Sequence, residues 1–178
     1  MAGMLLHICC GPCAVYPLEW LRENRPDLEV KGWFYNPNIH PGSEFRRRRD
    51  SLAFLALHNG LTVDFSPPYD AADFLAFLGP RPQEPGRCRA CYARRLSAAA
   101  CEAARRGYRA FASTLAFSKR QKHDLILEEG QRAADLNGLD FFYVDWRSGW
   151  ARGHESARAL GLYGQSYCGC LFSELERF

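Results

Sequence analysis

The feature that most restricts the fold is a four-residue apolar run, Leu5-Leu6-His7-Ile8, cut off by Cys9-Cys10-Gly11-Pro12-Cys13. An apolar run this short, bounded by turn chemistry, reads as a buried strand rather than a helix. The cysteine segment reads as a loop. A helical pattern follows to about Asn24 and stops at Pro26. The same alternation recurs along the chain. Further strands are expected over 30–35, 61–65, 109–114 and 140–144. Turn residues fill 36–42, and Ser43 is the expected N-cap of a helix that runs to about His58 and closes at Gly60. Helices are also expected over 70–78, from the two cysteines Cys88 and Cys91 to about Arg106, over 121–136 and near 154–160. Strands alternating with helices predict one α/β domain over 1–178, with a mostly parallel sheet and helices on both faces.

Sites in such folds form on the loops beyond the carboxyl ends of the strands. Three chemistry-bearing segments hold that position: Cys9 to Cys13, Asn36 to Gly42, and Ser113 to Lys122. They are expected to share a crevice. No apolar run approaches the roughly 20 residues of a membrane helix, and the first residues do not form a signal peptide. A cytoplasmic protein is expected.

Eight cysteines then need a use, and structural disulfides are rare in the cytosol. Cys88-Arg89-Ala90-Cys91 has the spacing of a metal or redox pair. Brought together with the three sulfurs of Cys9, Cys10 and Cys13, it would complete a four-sulfur site, compatible with structural zinc or a [4Fe–4S] cluster. Adjacent cysteines are unusual in zinc ribbons and favour the cluster. Cys168-Gly169-Cys170 suits a strained, easily reduced disulfide and hence redox cycling, favoured over metal ligation and over a buried inert pair. Cys101, in an Ala-rich helix, is expected to pack as a small hydrophobe.

Net charge is only +3, but the basic residues are grouped and are arginine almost throughout. Arg46 to Arg49 are consecutive, and Arg81, Arg87, Arg89, Arg94 and Arg95 surround Cys88 and Cys91. Arginine forks match phosphate geometry. Arg46 to Arg49, Arg94 and Arg95 are candidate phosphate contacts, against the alternative of solvated helix faces.

Several motifs together resemble the cobalamin-independent epoxyqueuosine reductases of the QueH family. They are the opening strand with Cys9-Cys10-Gly11-Pro12-Cys13, Tyr35-Asn36-Pro37-Asn38-Ile39-His40-Pro41, and Arg87-Cys88-Arg89-Ala90-Cys91-Tyr92. Phe111-Ala112-Ser113-Thr114-Leu115, Tyr143-Val144-Asp145-Trp146 and Tyr163-Gly164-Gln165-Ser166-Tyr167-Cys168-Gly169-Cys170 complete the set in order. The resemblance implies a Rossmann-like fold of the adenine-nucleotide α-hydrolase group. It also implies reduction of epoxyqueuosine to queuosine at the tRNA wobble position, the last step of queuosine biosynthesis. It implies a [4Fe–4S] cluster on Cys9, Cys10, Cys88 and Cys91, a redox pair at Cys168 and Cys170, and an external electron donor. A second iron and the role of Cys13 stay open.

Removing an epoxide oxygen as water takes two electrons and two protons. His40, Asp145 and Tyr167 are candidate proton donors. Trp33, Tyr35, Trp146, Trp150, Tyr163 and Tyr167 are candidate stacking surfaces for a splayed base. His7, alternating with apolar residues, is expected to be a satisfied core histidine. The main rival is a zinc-stabilised tRNA-binding or tRNA-modifying protein without redox chemistry.

Overall fold

A computed structural model describes residues 2–65, 67–79, 83 and 85–176. Five parallel strands run β1 (Ala2–His7), β2 (Leu28–Trp33), β3 (Val63–Asp64), β4 (Ala110–Ser113) and β5 (Asp140–Phe141). Their order in the sheet is β3-β2-β1-β4-β5. Between and after them lie α1 (Gly11–Asn24), α2 (Gly42–Asn59), α3 (Ala71–Leu78), α4 (Gly86–Arg105), α5 (His123–Asn137), α6 (Trp150–Ala159) and α7 (Leu171–Leu175). The α/β architecture expected from the alternation is the one observed.

The central strand shows why. Side chains alternate across a strand, and Met4, Leu6 and Ile8 enter one core with α1 and α2 residues such as Leu18, Leu52 and Leu55. Leu5, on the opposite face, joins Phe111, Leu96 and Ile126 in the other core. A strand buried on both faces must be apolar on both, as parallel sheets require. On the second face Ala99, Ala100 and Ala103 are fully buried on α4, which packs against α5. Gly60 and Gly138 end α2 and α5 in left-handed conformations that a Cβ disfavours.

The structure corrects several boundaries. The edge strands are two residues long rather than five, because each has a neighbour on one side only. The helix α2 starts at Gly42 with Pro41, not Ser43, in the capping position. Cys88 and Cys91 sit inside the first turns of α4 rather than ahead of it. Cys13 likewise lies within the first turn of α1. A 3₁₀ turn over Trp146–Gly149 leads into α6, which therefore starts before 154. Cys101 faces solvent, since the buried stripe of α4 passes through residues 99, 100 and 103. Arg81 lies outside the described residues.

Candidate active site

The chain leaves β1 toward β2 and later returns to place β4 on the other side of β1. That reversal opens a crevice at the carboxyl ends of β1 and β4. The segment after β1 carries Cys9, then Cys10 as the extended residue before α1, then Cys13 in its first turn. Turning from strand into helix brings all three sulfurs within 4.8 Å of one another. The Sγ atoms of Cys9 and Cys10 are 3.8 Å apart, and all three cysteines are unbonded. Gly11 makes the turn fit: a Cβ there would stand 2.8 Å from Ser51 Oγ and 2.9 Å from its carbonyl oxygen on α2.

The three sulfurs are not equivalent. Hydrogen bonds from Cys10 and Cys13 hold the Cys9 thiol well below its usual range despite burial, helped by Arg95 and Thr114. Donating to Cys10 and Cys9, together with burial, pushes Cys13 well up, and burial pushes Cys10 up. Cys9 is thus the first thiolate. Thr114 Oγ1 donates to its sulfur at 3.4 Å and accepts its backbone N–H at 3.1 Å. Gln165 Nε2 donates to Cys10 Sγ at 2.8 Å and to Cys13 Sγ at 3.5 Å.

His7 lies behind this cluster, fully buried. The Tyr35 carbonyl can only accept, so Nε2 carries the proton at 2.9 Å, and Nδ1 accepts from Ser113 Oγ at 2.8 Å. Burial and the neighbouring Arg95 push this imidazole down to about 3. The expectation of a satisfied core histidine holds.

Two adjoining cavities open from the crevice. One, of about 110 Å³, is lined by Cys9 and Cys13. The other, of about 370 Å³, is lined by Cys88, Cys91, Cys168 and Cys170. They share Arg95, Arg120, Gln121, Tyr167 and Cys168 as walls. Arg95 is held there by Asn36, whose Oδ1 accepts from Nη2 at 2.6 Å while its Nδ2 donates to the Ile8 carbonyl at 2.9 Å.

The shared roof is the segment 163–170, strapped down from several elements. Arg48 is buried and ties it to α2: Nη1 donates to the Cys168 carbonyl at 3.1 Å and Nη2 to the Tyr167 carbonyl at 2.9 Å, while Nε donates to Glu44 at 2.7 Å. Tyr163 donates to the other Glu44 oxygen at 2.6 Å. The Gly169 carbonyl accepts from His40 N–H at 2.8 Å, Arg120 donates to the Ser166 carbonyl at 3.1 Å, and Tyr167 OH donates to the His40 carbonyl. Beyond the roof, Arg87 holds Glu176 through two bonds of 2.6 and 2.9 Å. Cys168 is exposed and Cys170 buried. A hydrogen bond from Cys170, reinforced by Ser173, lowers the Cys168 thiol to about 5, while donating that bond pushes Cys170 up.

A family model described as epoxyqueuosine reductase QueH matches residues 4–176. The chain belongs to the epoxyqueuosine reductase QueH family. Among its relatives, the epoxyqueuosine reductase QueH of Dehalococcoides mccartyi is 35% identical over 175 residues, covering 98% of this chain and 94% of that protein. The Thermotoga maritima epoxyqueuosine reductase QueH is 33% identical, covering 99% and 93%. The chain is therefore an oxidoreductase of queuosine biosynthesis.

Within this QueH site the arginine expectation needs correction. Arg48 is buried and bonded to protein groups, and Arg95 is buried as a wall of both cavities with Nη2 on Asn36, so neither stands on the outer surface. Arg46 and Arg47 are exposed, and Arg94 pairs with Asp73 at 2.6 Å. The candidate aromatics separate as well. Trp146 is buried in the core, Trp33 stacks on Tyr35 with centroids 4.9 Å apart, and Tyr163 packs under Arg47. Only Trp150 and Tyr167 of the six line these two cavities. Asp145 caps the 3₁₀ turn and pairs with Arg147, and His40 packs against Tyr69 and Phe74 away from both cavity walls. Thr114, Gln165, Arg120 and His154 line or bond the site; Thr114 and Arg120 fall in the segment expected at the crevice, whereas no site role is assigned to Gln165 or His154 from the sequence. None carries a spacing signal; each reaches the site by tertiary contact.

Proposed function

We propose that this protein reduces epoxyqueuosine to queuosine at the wobble position of tRNA, without cobalamin, using a [4Fe–4S] cluster on Cys9, Cys10, Cys88 and Cys91. Cys168 and Cys170 serve as its redox pair. The carrying observation is that three groups of sulfur line two cavities with a common wall. The donor set fits such a group. The cluster of close side chains around Cys9 is all sulfur, without imidazole or carboxylate. Soft thiolates select iron–sulfur centres or zinc over hard cations. The adjoining cavity on the Cys88 and Cys91 side leaves space for a group larger than one ion.

When bound, the cluster supplies single electrons from an external donor. The residues around it have separable tasks. Cys9 is deprotonated in advance, and Thr114 and Gln165 hold hydrogen bonds on the ligand sulfurs, a class of contact that tunes potential. Arg48 fixes the backbone of Tyr167 and Cys168, and so aims the Cys168 sulfur at both cavities. Cys168, a thiolate above about pH 5, is the reactive member of the pair. Trp150 and Tyr167 give the inserted base apolar faces. The described residues contain no helix long and apolar enough to cross a membrane, in keeping with a cytoplasmic tRNA enzyme working as one α/β unit.

The test is anaerobic purification with iron and sulfide quantitation, followed by turnover of epoxyqueuosine-containing tRNA. About four irons and four sulfides per chain are expected, with loss of both in Cys88→Ser and Cys91→Ser. A colourless protein carrying one zinc, inactive on that tRNA, overturns the proposal.

A further inference from the structure

Buried polar atoms without a partner are rare and cost about 1–3 kcal/mol each. Among the described residues, four such atoms belong to side chains that line the two cavities: Asn38 Oδ1, Arg95 Nε, His154 Nε2 and Gln165 Oε1. Arg95 walls both cavities; the other two on the smaller one, beside Cys9 and Cys13, belong to His154 and Gln165. Neither is used by the chemistry assigned above. Gln165 already commits its Nε2 to Cys10 and Cys13, which leaves the amide oxygen as an obligate acceptor. The His154 ring is held by Trp150 at 4.1 Å and by Phe117 at 5.8 Å between centroids, so its edge is fixed. Arg120 lines the same cavity and Arg158 lies near the imidazole; with burial they keep it below its usual range, and so neutral at pH 7.

We infer that His154 and Gln165 form the polar end of the substrate pocket and select the hydroxyl-bearing ring of the modified base. This rests on the proposed epoxyqueuosine reduction. A small cavity with an orphaned acceptor, an orphaned ring nitrogen and an indole wall asks for a compact ligand that is apolar on one face and carries O–H groups on its edge. An unmodified base lacks that ring and leaves both atoms unpaired. Buried hydrogen-bonding groups discriminate in this way, because the analogue without the hydroxyl strands them. Gln165 also links the bound ring to the sulfurs of Cys10 and Cys13, so binding and the redox end share one side chain.

The experiment compares binding of two anticodon stem-loops, one with epoxyqueuosine and one with guanine at the wobble position, by wild type, His154→Phe and Gln165→Met. His154→Phe preserves the stack on Trp150 and Phe117 and removes only the ring nitrogens. Wild type is expected to prefer the epoxyqueuosine stem-loop. Each variant should lose roughly tenfold of that preference, the value of one buried hydrogen bond, with guanine stem-loop affinity unchanged; in His154→Phe, which touches no sulfur ligand, iron content should be unchanged as well. In wild type, the epoxyqueuosine stem-loop, and not the guanine one, should protect His154 from carbethoxylation by diethyl pyrocarbonate, read by peptide mass. Unchanged preference in His154→Phe, with no selective protection, overturns the inference. If wild type turns over the modified tRNA in that case, the reductase reading stands and only this assignment fails; if it does not, the reductase reading fails as well.

Discussion

Cys168 is where residue-level chemistry is most exposed to test. Its thiol is lowered to about 5 by the hydrogen bond from Cys170, so the thiolate is present above that pH and lost below it. The rate of iodoacetamide alkylation at Cys168 should be flat from about pH 6.5 upward and fall toward pH 4, where an ordinary cysteine of pKa about 8.5 still rises steeply through pH 8. Cys170→Ala removes the donor and should move the midpoint upward. Gly169 between them has φ +103, and a Cβ there would lie 2.9 Å from Ile39 Cγ1 and 3.1 Å from Arg48 Nη1. Gly169→Ala should cost about 1–3 kcal/mol, measured as a lower urea midpoint. The CxC spacing singles out this pair for the proposed redox role. The asymmetry between its two sulfurs is not legible in that spacing, because it comes from the direction of the hydrogen bond between them and from Ser173.

At the scale of elements, the roof over the cavities depends on a helix more than a hundred residues away. The guanidinium of Arg48 on α2 crosses to the Tyr167 and Cys168 carbonyls, with its side chain 3% exposed and that of its partner Glu44 7% exposed. Removing one member of a buried pair costs about 3–5 kcal/mol, since it strands the other charge. Arg48→Met should therefore destabilise the fold by that order in denaturant. It should also raise amide hydrogen exchange across 163–170 more than across β1. Arg48→Lys should not restore protection, because an ammonium cannot bridge three acceptors as a planar fork does. In the sequence, Arg46 to Arg49 read as a basic run. Helical periodicity turns one of four consecutive residues inward, and which one is inward depends on how α2 packs on the sheet.

For the whole molecule, the sheet order sets where charge and chemistry meet. The reversal between β1 and β4 opens the crevice, and Lys119, Arg120 and Lys122 in the loop after β4 are exposed around it. On the proposed reading they, with Arg46 and Arg47, face the tRNA backbone. Affinity for tRNA should fall steeply from 50 to 200 mM salt, as a rough range. Lys119→Ala should lower the slope of log K against log salt by about one. Arg94→Ala should change it little, since that side chain is engaged with Asp73. A filter-binding salt series on the three proteins checks both.

Periodicity and punctuation determined the architecture. Apolar runs of strand length, separated by helical stretches and closed by residues such as Gly60, specify a parallel α/β sheet, because local dihedral preference and burial on two faces act within short windows. The same local logic placed Cys9, Asn36 and Thr114 beyond strand ends. Tertiary structure alone decided which side chains meet there. It set Gln165 against the sulfurs of Cys10 and Cys13, turned Cys101 to solvent, withdrew Arg48 and Arg95 from the surface, and placed His154 at the small cavity. Those outcomes depend on how helices rotate against the sheet and on contacts such as Gln165 with Cys10, separated by 155 residues. No pattern within a single window encodes a contact at that distance.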